Sequence, residues 1–209
     1  MKNKIILKKL VYIISLSAIA IIVSLIEIPI PLAEGFKLDF SEVAILIAYL
    51  VLGFRGASTV ILIRTLVRRL FRGFDPMGLF GESLAFFSSY IMLFTYMMIK
   101  KVFRDKQQPL ILDMPIEIEK ISLKKWILVP IIFSLSLGIS FTVLHLSITP
   151  YVIGMITMNK PLIPYDNFSS YIVKAFIFSF SYIPLNFVKG AASGIVFLLL
   201  KPRIEQIEL

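Results

Sequence analysis

The feature that most constrains this chain is a series of long apolar runs that contain no charged residue. The two clearest cover residues 10–26 and 127–144, and each approaches the roughly 20 apolar residues that cross the hydrocarbon core of a bilayer. The chain is 58% hydrophobic and 17% charged, whereas soluble domains have about 45–50% apolar and about 25% charged residues. Within lipid the backbone must satisfy its own hydrogen bonds, which favours helices. The sequence therefore predicts an all-α integral membrane protein.

Proline and capping residues divide the chain into six predicted transmembrane helices. Pro29 and Pro31 end the first helix, because proline cannot continue one. Asp39 and Glu42 have the spacing of a capping box at the start of the second, and Pro184 is expected to kink the sixth. The predicted helices cover about 10–28, 39–54, 56–72, 80–100, 126–155 and 169–200, within a single membrane domain of residues 1–209.

Lysine and arginine residues are concentrated in alternate connecting segments, which indicates the orientation of the chain. Segments on the side of the N-terminus hold fourteen of them, and segments on the opposite side hold five. Cytoplasmic loops carry the excess of positive charge in membrane proteins. The sequence therefore predicts a multi-pass protein of the cell membrane with both termini in the cytoplasm.

The charge and the missing motifs exclude several functions. A net charge of +9 would suit nucleic acid only if the basic residues formed a solvated face, but they flank the apolar runs instead. The chain has no cysteine, which removes thiolate catalysis and cysteine-based metal sites. It also lacks a Gly-x-x-x-x-Gly-Lys-Ser phosphate loop. An intramembrane enzyme that uses His145 and Ser193 is left as an alternative, although the sequence favours a protein that is not an enzyme.

The sixth predicted helix carries the clearest candidate binding residues. Asn186 and Lys189 are three residues apart and share one helix face, just after Pro184. Strongly polar residues within a span cost a few kcal/mol, so each indicates a function. The alternative is that Lys189 pairs with another helix or extends its ammonium to the membrane surface. The sequence leaves both roles open.

A histidine and a row of arginines are further candidates. His145, the only histidine of the chain, has no second histidine or neighbouring carboxylate, so we expect a polar contact to a small ligand and no metal site. Arg64, Arg68 and Arg72 line one face of the third predicted helix and repel one another. Their charge requires an anion, which is either Glu82, with help from Asp75 or lipid head groups, or a phosphate on the ligand.

Small residues line one face of the first predicted helix. Ser17, Ala20 and Ser24 are three or four residues apart, and small residues at this spacing let helices approach closely in lipid. The face is equally suited to packing within the protein and to binding a partner subunit.

Four short segments together resemble one family of transport proteins. The similarity extends from about residue 17 to residue 200, and the family is the riboflavin-specific S component of energy-coupling factor (ECF) transporters, the substrate-binding membrane subunit. The segments are Ile-Pro-Ile-Pro at 28–31, Lys-Leu-Asp-Phe-Ser-Glu at 37–42, Asp-Pro-Met-Gly at 75–78 and Pro-Leu-Asn-Phe-Val-Lys-Gly at 184–190.

The resemblance implies roles for individual residues. Asn186 and Lys189 occupy the positions of an asparagine and a lysine that hydrogen-bond the flavin in that family. His145 stands where the family has an asparagine nine residues before a glycine, here Gly154. Arg64, Arg68 and Glu82 also depart from the family's residues, so the ligand is riboflavin, FMN or, as the alternative, another vitamin such as pantothenate.

The resemblance also implies how the protein works. It would bind its ligand outside the cell, with no cofactor, and reorient in the bacterial cytoplasmic membrane while a T subunit and two ATPase subunits supply the energy. The face of Ser17, Ala20 and Ser24 resembles the docking motif for the T subunit. The first loop, with Leu38, Asp39 and Phe40, is expected to close over the ligand.

Overall fold

A computed structural model of the protein describes residues 2–29, 37–103, 122–165 and 167–205. In these residues the chain forms seven helices and a two-stranded antiparallel ladder in which Ile28 pairs with Leu38. The elements in chain order are α1 Lys2–Leu25, β1 Ile28–Pro29, β2 Lys37–Leu38, α2 Ser41–Arg72, α3 Pro76–Val102, α4 Leu123–Ser147, α5 Thr149–Met158, α6 Phe168–Ser179 and α7 Tyr182–Glu205.

The outer surface of the helices is apolar, as a lipid-facing surface must be. Within the described residues, α1, α2, α3, α4 and α7 are each long and apolar enough to cross a bilayer. Along α4, residues four apart lie on the same helix face, and one such row of large apolar side chains is 47–61% exposed. This row consists of Ile127, Ile131, Leu135, Ile139 and Val143. The all-α membrane architecture predicted from the sequence is confirmed.

The helix α2 is a hairpin of two arms that turn at Gly53. This glycine has φ 75° and ψ −174°, a backbone conformation that other residues rarely adopt. A hydrogen bond of 2.8 Å from Arg64 Nη1 to Ser41 Oγ joins the second arm to the start of the first, which is possible only because the chain turns back. In one straight helix these two residues would be about 34 Å apart. The turn lies close to residue 55, where the sequence analysis places the boundary between the second and third helices.

The predicted fifth and sixth helices are each broken into two. The first break is at Ile148, between α4 and α5, and it precedes Pro150, which has no N–H for a continuous ladder. The second separates α6 from α7 at residues 180–181, so that Pro184 lies in the first turn of α7. The helix predicted over 126–155 is thus interrupted at Ile148, which keeps helical backbone angles, and the kink predicted for 169–200 lies near the interruption at residues 180–181.

The start of α2 also differs from the prediction. The helix begins at Ser41, and Asp39 Oδ1 accepts hydrogen bonds from the Ser41 backbone and hydroxyl at 3.0 and 2.5 Å. Glu42 does not complete a capping box, because its carboxylate is paired with Lys189 instead. Phe40 packs against the core cluster of α2, α3, α4 and α7. The proposed closing of the first loop concerns residues 30–36 and the side chain of Leu38, which lie outside the described part.

The closest helix contact is between α4 and α7. Ser134 Oγ donates a 2.9 Å hydrogen bond to the Phe187 carbonyl across it. At Gly190 a Cβ atom would lie 2.5 Å from the Phe133 carbonyl oxygen and 2.8 Å from Ser134 Cα. A glycine is therefore needed for the two backbones to approach this closely.

The small-residue face of α1 packs against α2. Ser17, Ala20 and Ser24 are at most 3% exposed, and Ala20 belongs to a core cluster formed with residues of α2 and α3. The sequence left open whether this face packs within the protein or binds a partner subunit. Packing within the protein explains why these three residues are buried. Docking of a partner subunit to this face remains a prediction.

Candidate ligand-binding site

A cavity of about 330 Å³ lies where α3, α4, α5 and α7 meet the second arm of α2. Its size falls at the lower end of the range of about 300–1,000 Å³ typical of small-molecule sites. Its lining contains both polar and apolar side chains. The polar side chains that line it are Glu27, Asp39, Arg68, Glu82, Ser88, His145, Thr149, Tyr182, Asn186 and Lys189. The apolar wall consists of Met77, Phe80, Leu84, Phe141 and Ile153.

Lys189 is held at the cavity wall by a buried ion pair. Its Nζ lies 2.8 Å from Glu42 Oε1, on the first arm of α2, and 3.9 Å from Asp39 Oδ2. Glu42 is 1% exposed and also accepts a 2.8 Å hydrogen bond from Ser88 Oγ on α3. An ammonium has three donors, so Lys189 can bind Glu42 and still donate to a ligand. The sequence left open whether Lys189 pairs with another helix or contacts a ligand. In the structure Lys189 pairs with Glu42 on α2 and also lines the cavity.

Asp39 connects the two arms of the α2 hairpin to the cavity. Burial raises the pKa of its carboxyl, but Lys189, the two hydrogen bonds from Ser41, and Arg68 outweigh this effect and lower the pKa to about 2. The group is thus a carboxylate at neutral pH. Arg64 Nη1 donates to Ser41 Oγ at 2.8 Å, and Arg64 is fully buried. Arg64 therefore supports Asp39 through Ser41 and is not one of the cavity-lining residues.

Carboxylates surround the arginines of the last turns of α2, Arg68, Arg69 and Arg72. Arg68 Nη2 lies 2.5 Å from Glu27 Oε1, and the same oxygen lies 2.6 Å from Arg72 Nη1. Glu82 Oε2 is 3.5 Å from both Arg68 Nε and Arg69 Nε. The Glu82 pairing was predicted, but the sequence did not identify Glu27. Asp75, the other predicted counter-ion, instead caps α3 by accepting a 2.6 Å hydrogen bond from the Gly78 backbone.

These pairings nearly neutralise the outer part of the site. Three arginines, Arg68, Arg69 and Arg72, face the two carboxylates Glu27 and Glu82, and Asp39 Oδ2 lies 3.9 Å from Arg68 Nη1. Each of these three arginines already lies 2.5–3.5 Å from a carboxylate oxygen, so none has an unpaired charge to offer to a dianion. The arrangement therefore favours structural pairing of the arginines over phosphate binding.

His145 and Asn186 meet across the α4–α7 contact. Asn186 Nδ2 lies 3.3 Å from His145 Nε2 and 2.9 Å from the Tyr182 carbonyl oxygen. His145 Nδ1 lies 3.2 Å from Thr149 Oγ1. The imidazole lies between the rings of Phe141 and Tyr182, with centroids 5.8 and 5.6 Å away. The ring is therefore fixed in position by both packing and hydrogen bonds.

The structure brings together five of the eight residues that the sequence analysis assigned to ligand binding. Asn186, Lys189, His145, Asp39 and Arg68 line one cavity, although they come from four separate segments of the chain. Sequence reasoning missed the aromatic and acidic parts of the wall, Phe80, Phe141, Tyr182 and Glu27. The signal available for Glu27 was its charge at the end of an apolar run, opposite unpaired arginines.

Comparison with known proteins gives consistent matches over nearly the whole chain. Residues 8–201 match the family model described as "ECF transporter, substrate-specific component". The riboflavin transporter RibU of Staphylococcus aureus is 30% identical over 198 residues, which cover 94% of this chain and 90% of that protein. A riboflavin transporter RibU of Streptococcus thermophilus is 35% identical over 80 residues, 38% of each chain. A solved structure described as the S component of a bacterial ECF transporter superposes with a TM-score of 0.66 at 28% identity, covering 98% of this chain and 96% of that one.

Proposed function

The chain belongs to the family of ECF transporter substrate-specific components, and we propose that it captures riboflavin at the outer face of a bacterial cytoplasmic membrane. Membership in this family makes it a membrane transport protein with several spans and not an enzyme. The alternative of an intramembrane enzyme built on His145 and Ser193 is therefore wrong.

One observation supports riboflavin as the ligand more than any other. Asn186 and Lys189, which the family resemblance aligns with flavin-binding residues, both line the 330 Å³ cavity. Aromatic side chains of Phe80, Phe141 and Tyr182 line the same cavity and suit a planar ring system. An apolar wall with a few convergent polar groups is typical of a site for a small organic ligand.

Riboflavin is favoured over FMN because of the charge around Arg68. The phosphate of FMN would need a cation with free charge, whereas Arg68 is surrounded by Glu27, Glu82 and Asp39 at 2.5–3.9 Å. A phosphate in this position would have to compete with these carboxylates for Arg68. Pantothenate, the alternative vitamin, carries a carboxylate that meets the same competition.

Riboflavin titration of the purified protein tests the ligand. We expect quenching of flavin fluorescence on binding, FMN to bind no more tightly than riboflavin, and no displacement by pantothenate. Asn186→Ala removes one buried hydrogen bond to the ligand and should weaken binding roughly tenfold. Val188→Ala is the matched control, because Val188 lies on the same helix and is 56% exposed on its outer side. No quenching, or displacement by pantothenate, would reject riboflavin.

For transport, we propose that the loaded protein reorients in the membrane together with a T subunit and two ATPase subunits. The chain would cross the membrane six times, by α1, the two arms of α2, α3, α4 with α5, and α6 with α7. Both termini would be cytoplasmic, as the distribution of basic residues predicts.

The absence of cysteine allows a direct test of this orientation. Lys124 at the start of α4 and Lys160 beyond the end of α5 are both exposed, and they lie on opposite sides of the proposed membrane. In intact cells an impermeant thiol reagent should label Lys160→Cys and leave Lys124→Cys unlabelled until the cells are broken. The reverse pattern would show that the orientation is inverted.

A further inference from the structure

The hydrogen bonds around Asn186 determine which atoms donate and which accept. An amide nitrogen can only donate, so His145 Nε2, 3.3 Å from Asn186 Nδ2, must be the unprotonated acceptor. The proton of a neutral imidazole is then on Nδ1, which faces Thr149 Oγ1 at 3.2 Å. Thr149 can accept it because its own hydroxyl donates to the Leu144 carbonyl oxygen at 3.2 Å. Each donor in this series has an acceptor.

Both hydrogens of the Asn186 amide are consequently used by the protein. One points to His145 Nε2 and the other to the Tyr182 carbonyl oxygen at 2.9 Å. Among the described residues, no donor lies within hydrogen-bond distance of Asn186 Oδ1. Because Asn186 lines the cavity, Oδ1 is the atom that it offers to a ligand. Asn186 can therefore act only as an acceptor.

Donors from the protein lie on the same wall of the cavity. Lys189 is three residues from Asn186, on the same helix face, and its ammonium has hydrogens beyond the one that binds Glu42. Arg68 is 6% exposed and lines the cavity. Its Nε and Nη1 are buried and lie 3.5 Å from Glu82 Oε2 and 3.9 Å from Asp39 Oδ2, so Lys189 is the donor next to Asn186. The wall thus presents an acceptor together with a cationic donor.

We propose that His145 is a positioning residue that holds Asn186 as an acceptor, so that the site selects ligands with an imide edge, an N–H group between two carbonyl groups. Asn186 Oδ1 accepts from the imide N–H, and Lys189 donates to a neighbouring carbonyl oxygen. The isoalloxazine ring of a flavin has such an edge, with N3–H between the C2 and C4 carbonyls. This inference rests on the proposed function and specifies which edge of the ligand the protein recognises.

A pair of ligands tests the acceptor role without any mutation. N3-methylriboflavin differs from riboflavin only in that the imide hydrogen is replaced by a methyl group. The wild-type protein should bind riboflavin at least about tenfold more tightly, since a donor opposite Asn186 Oδ1 is lost. Equal affinities would overturn the inference while leaving riboflavin as the ligand. Failure of the wild-type protein to bind either compound would overturn the proposed function and the inference with it.

Two substitutions test the positioning role of His145. His145→Phe keeps an aromatic ring between Phe141 and Tyr182 but has no acceptor, so the amide of Asn186 is free to turn. The preference for riboflavin over its N3-methyl derivative should then fall toward equality. His145→Gln places an amide oxygen near the position of Nε2 and should restore much of the preference. A preference unchanged from wild type in His145→Phe, in protein that elutes as a single folded species, would overturn the role of His145.

Discussion

Replacing Lys189 by methionine is expected to destabilise the protein and to abolish most of its ligand affinity. Methionine preserves the volume of the side chain but leaves Glu42, which is 1% exposed, with a buried and uncompensated charge. Breaking a buried ion pair in this way costs about 3–5 kcal/mol, or roughly 10 °C in the unfolding midpoint of a protein of this size. The loss of a donor to the ligand adds about 1–3 kcal/mol to the binding free energy. Thermal unfolding in detergent and flavin quenching measure the two effects.

A double variant separates stability from binding. In Lys189→Met/Glu42→Gln both charges are absent, and the new amide oxygen can still accept the hydrogen bond that Ser88 now donates at 2.8 Å. Replacing both members of a buried pair is often neutral for stability, so the unfolding midpoint should return toward that of the wild type. Ligand affinity should stay low, because the ammonium is still missing. If the single variant melts like the wild type, or if the double variant regains affinity, Lys189 does not have both of these roles.

Parts of the fold were predictable because they depend on neighbours in sequence. Prolines and short apolar runs mark helix ends: the sequence placed a helix boundary near residue 55, where the chain turns at Gly53, and a kink at Pro184, close to the interruption at residues 180–181. Asn186 and Lys189 were correctly placed on one face, because their spacing of three fixes this in any helix. The interruption at Ile148 was missed, although Pro150, two residues later, was an available signal.

Other parts depend on how the helices are rotated against one another. Glu27 and Arg68 are forty-one residues apart, and nothing in either segment specifies that the two side chains meet. Likewise, the meeting of His145 with Asn186 depends on the close approach of α4 and α7, which is set by the glycines between them. Amphipathic patterns fix such rotations in soluble proteins, but helices that are apolar all round carry little of this information.

Gly190→Ala is expected to damage both the fold and the site, because its added Cβ meets backbone. The clash is with the Phe133 carbonyl oxygen at 2.5 Å and Ser134 Cα at 2.8 Å, so no rotamer change can relieve it and α4 must move away from α7. Overpacking of this kind costs about 1–3 kcal/mol. The Asn186–His145 hydrogen bond, already 3.3 Å long, spans the same two helices one turn away and should break.

The expected result for Gly190→Ala is therefore a lower unfolding midpoint together with roughly tenfold weaker riboflavin binding. Gly81→Ala is the matched control for stability, since a Cβ at Gly81 has no atom within 4 Å and alanine favours the helix by about 1 kcal/mol. Gly138→Ala provides a second comparison: the three atoms nearest to its added Cβ all belong to the Phe187 ring, so Phe187→Leu should relieve that clash. Truncating Phe133 should not rescue Gly190→Ala, because the obstacle there is main chain. A Gly190→Ala protein with wild-type stability and affinity would show that α4 and α7 do not approach this closely.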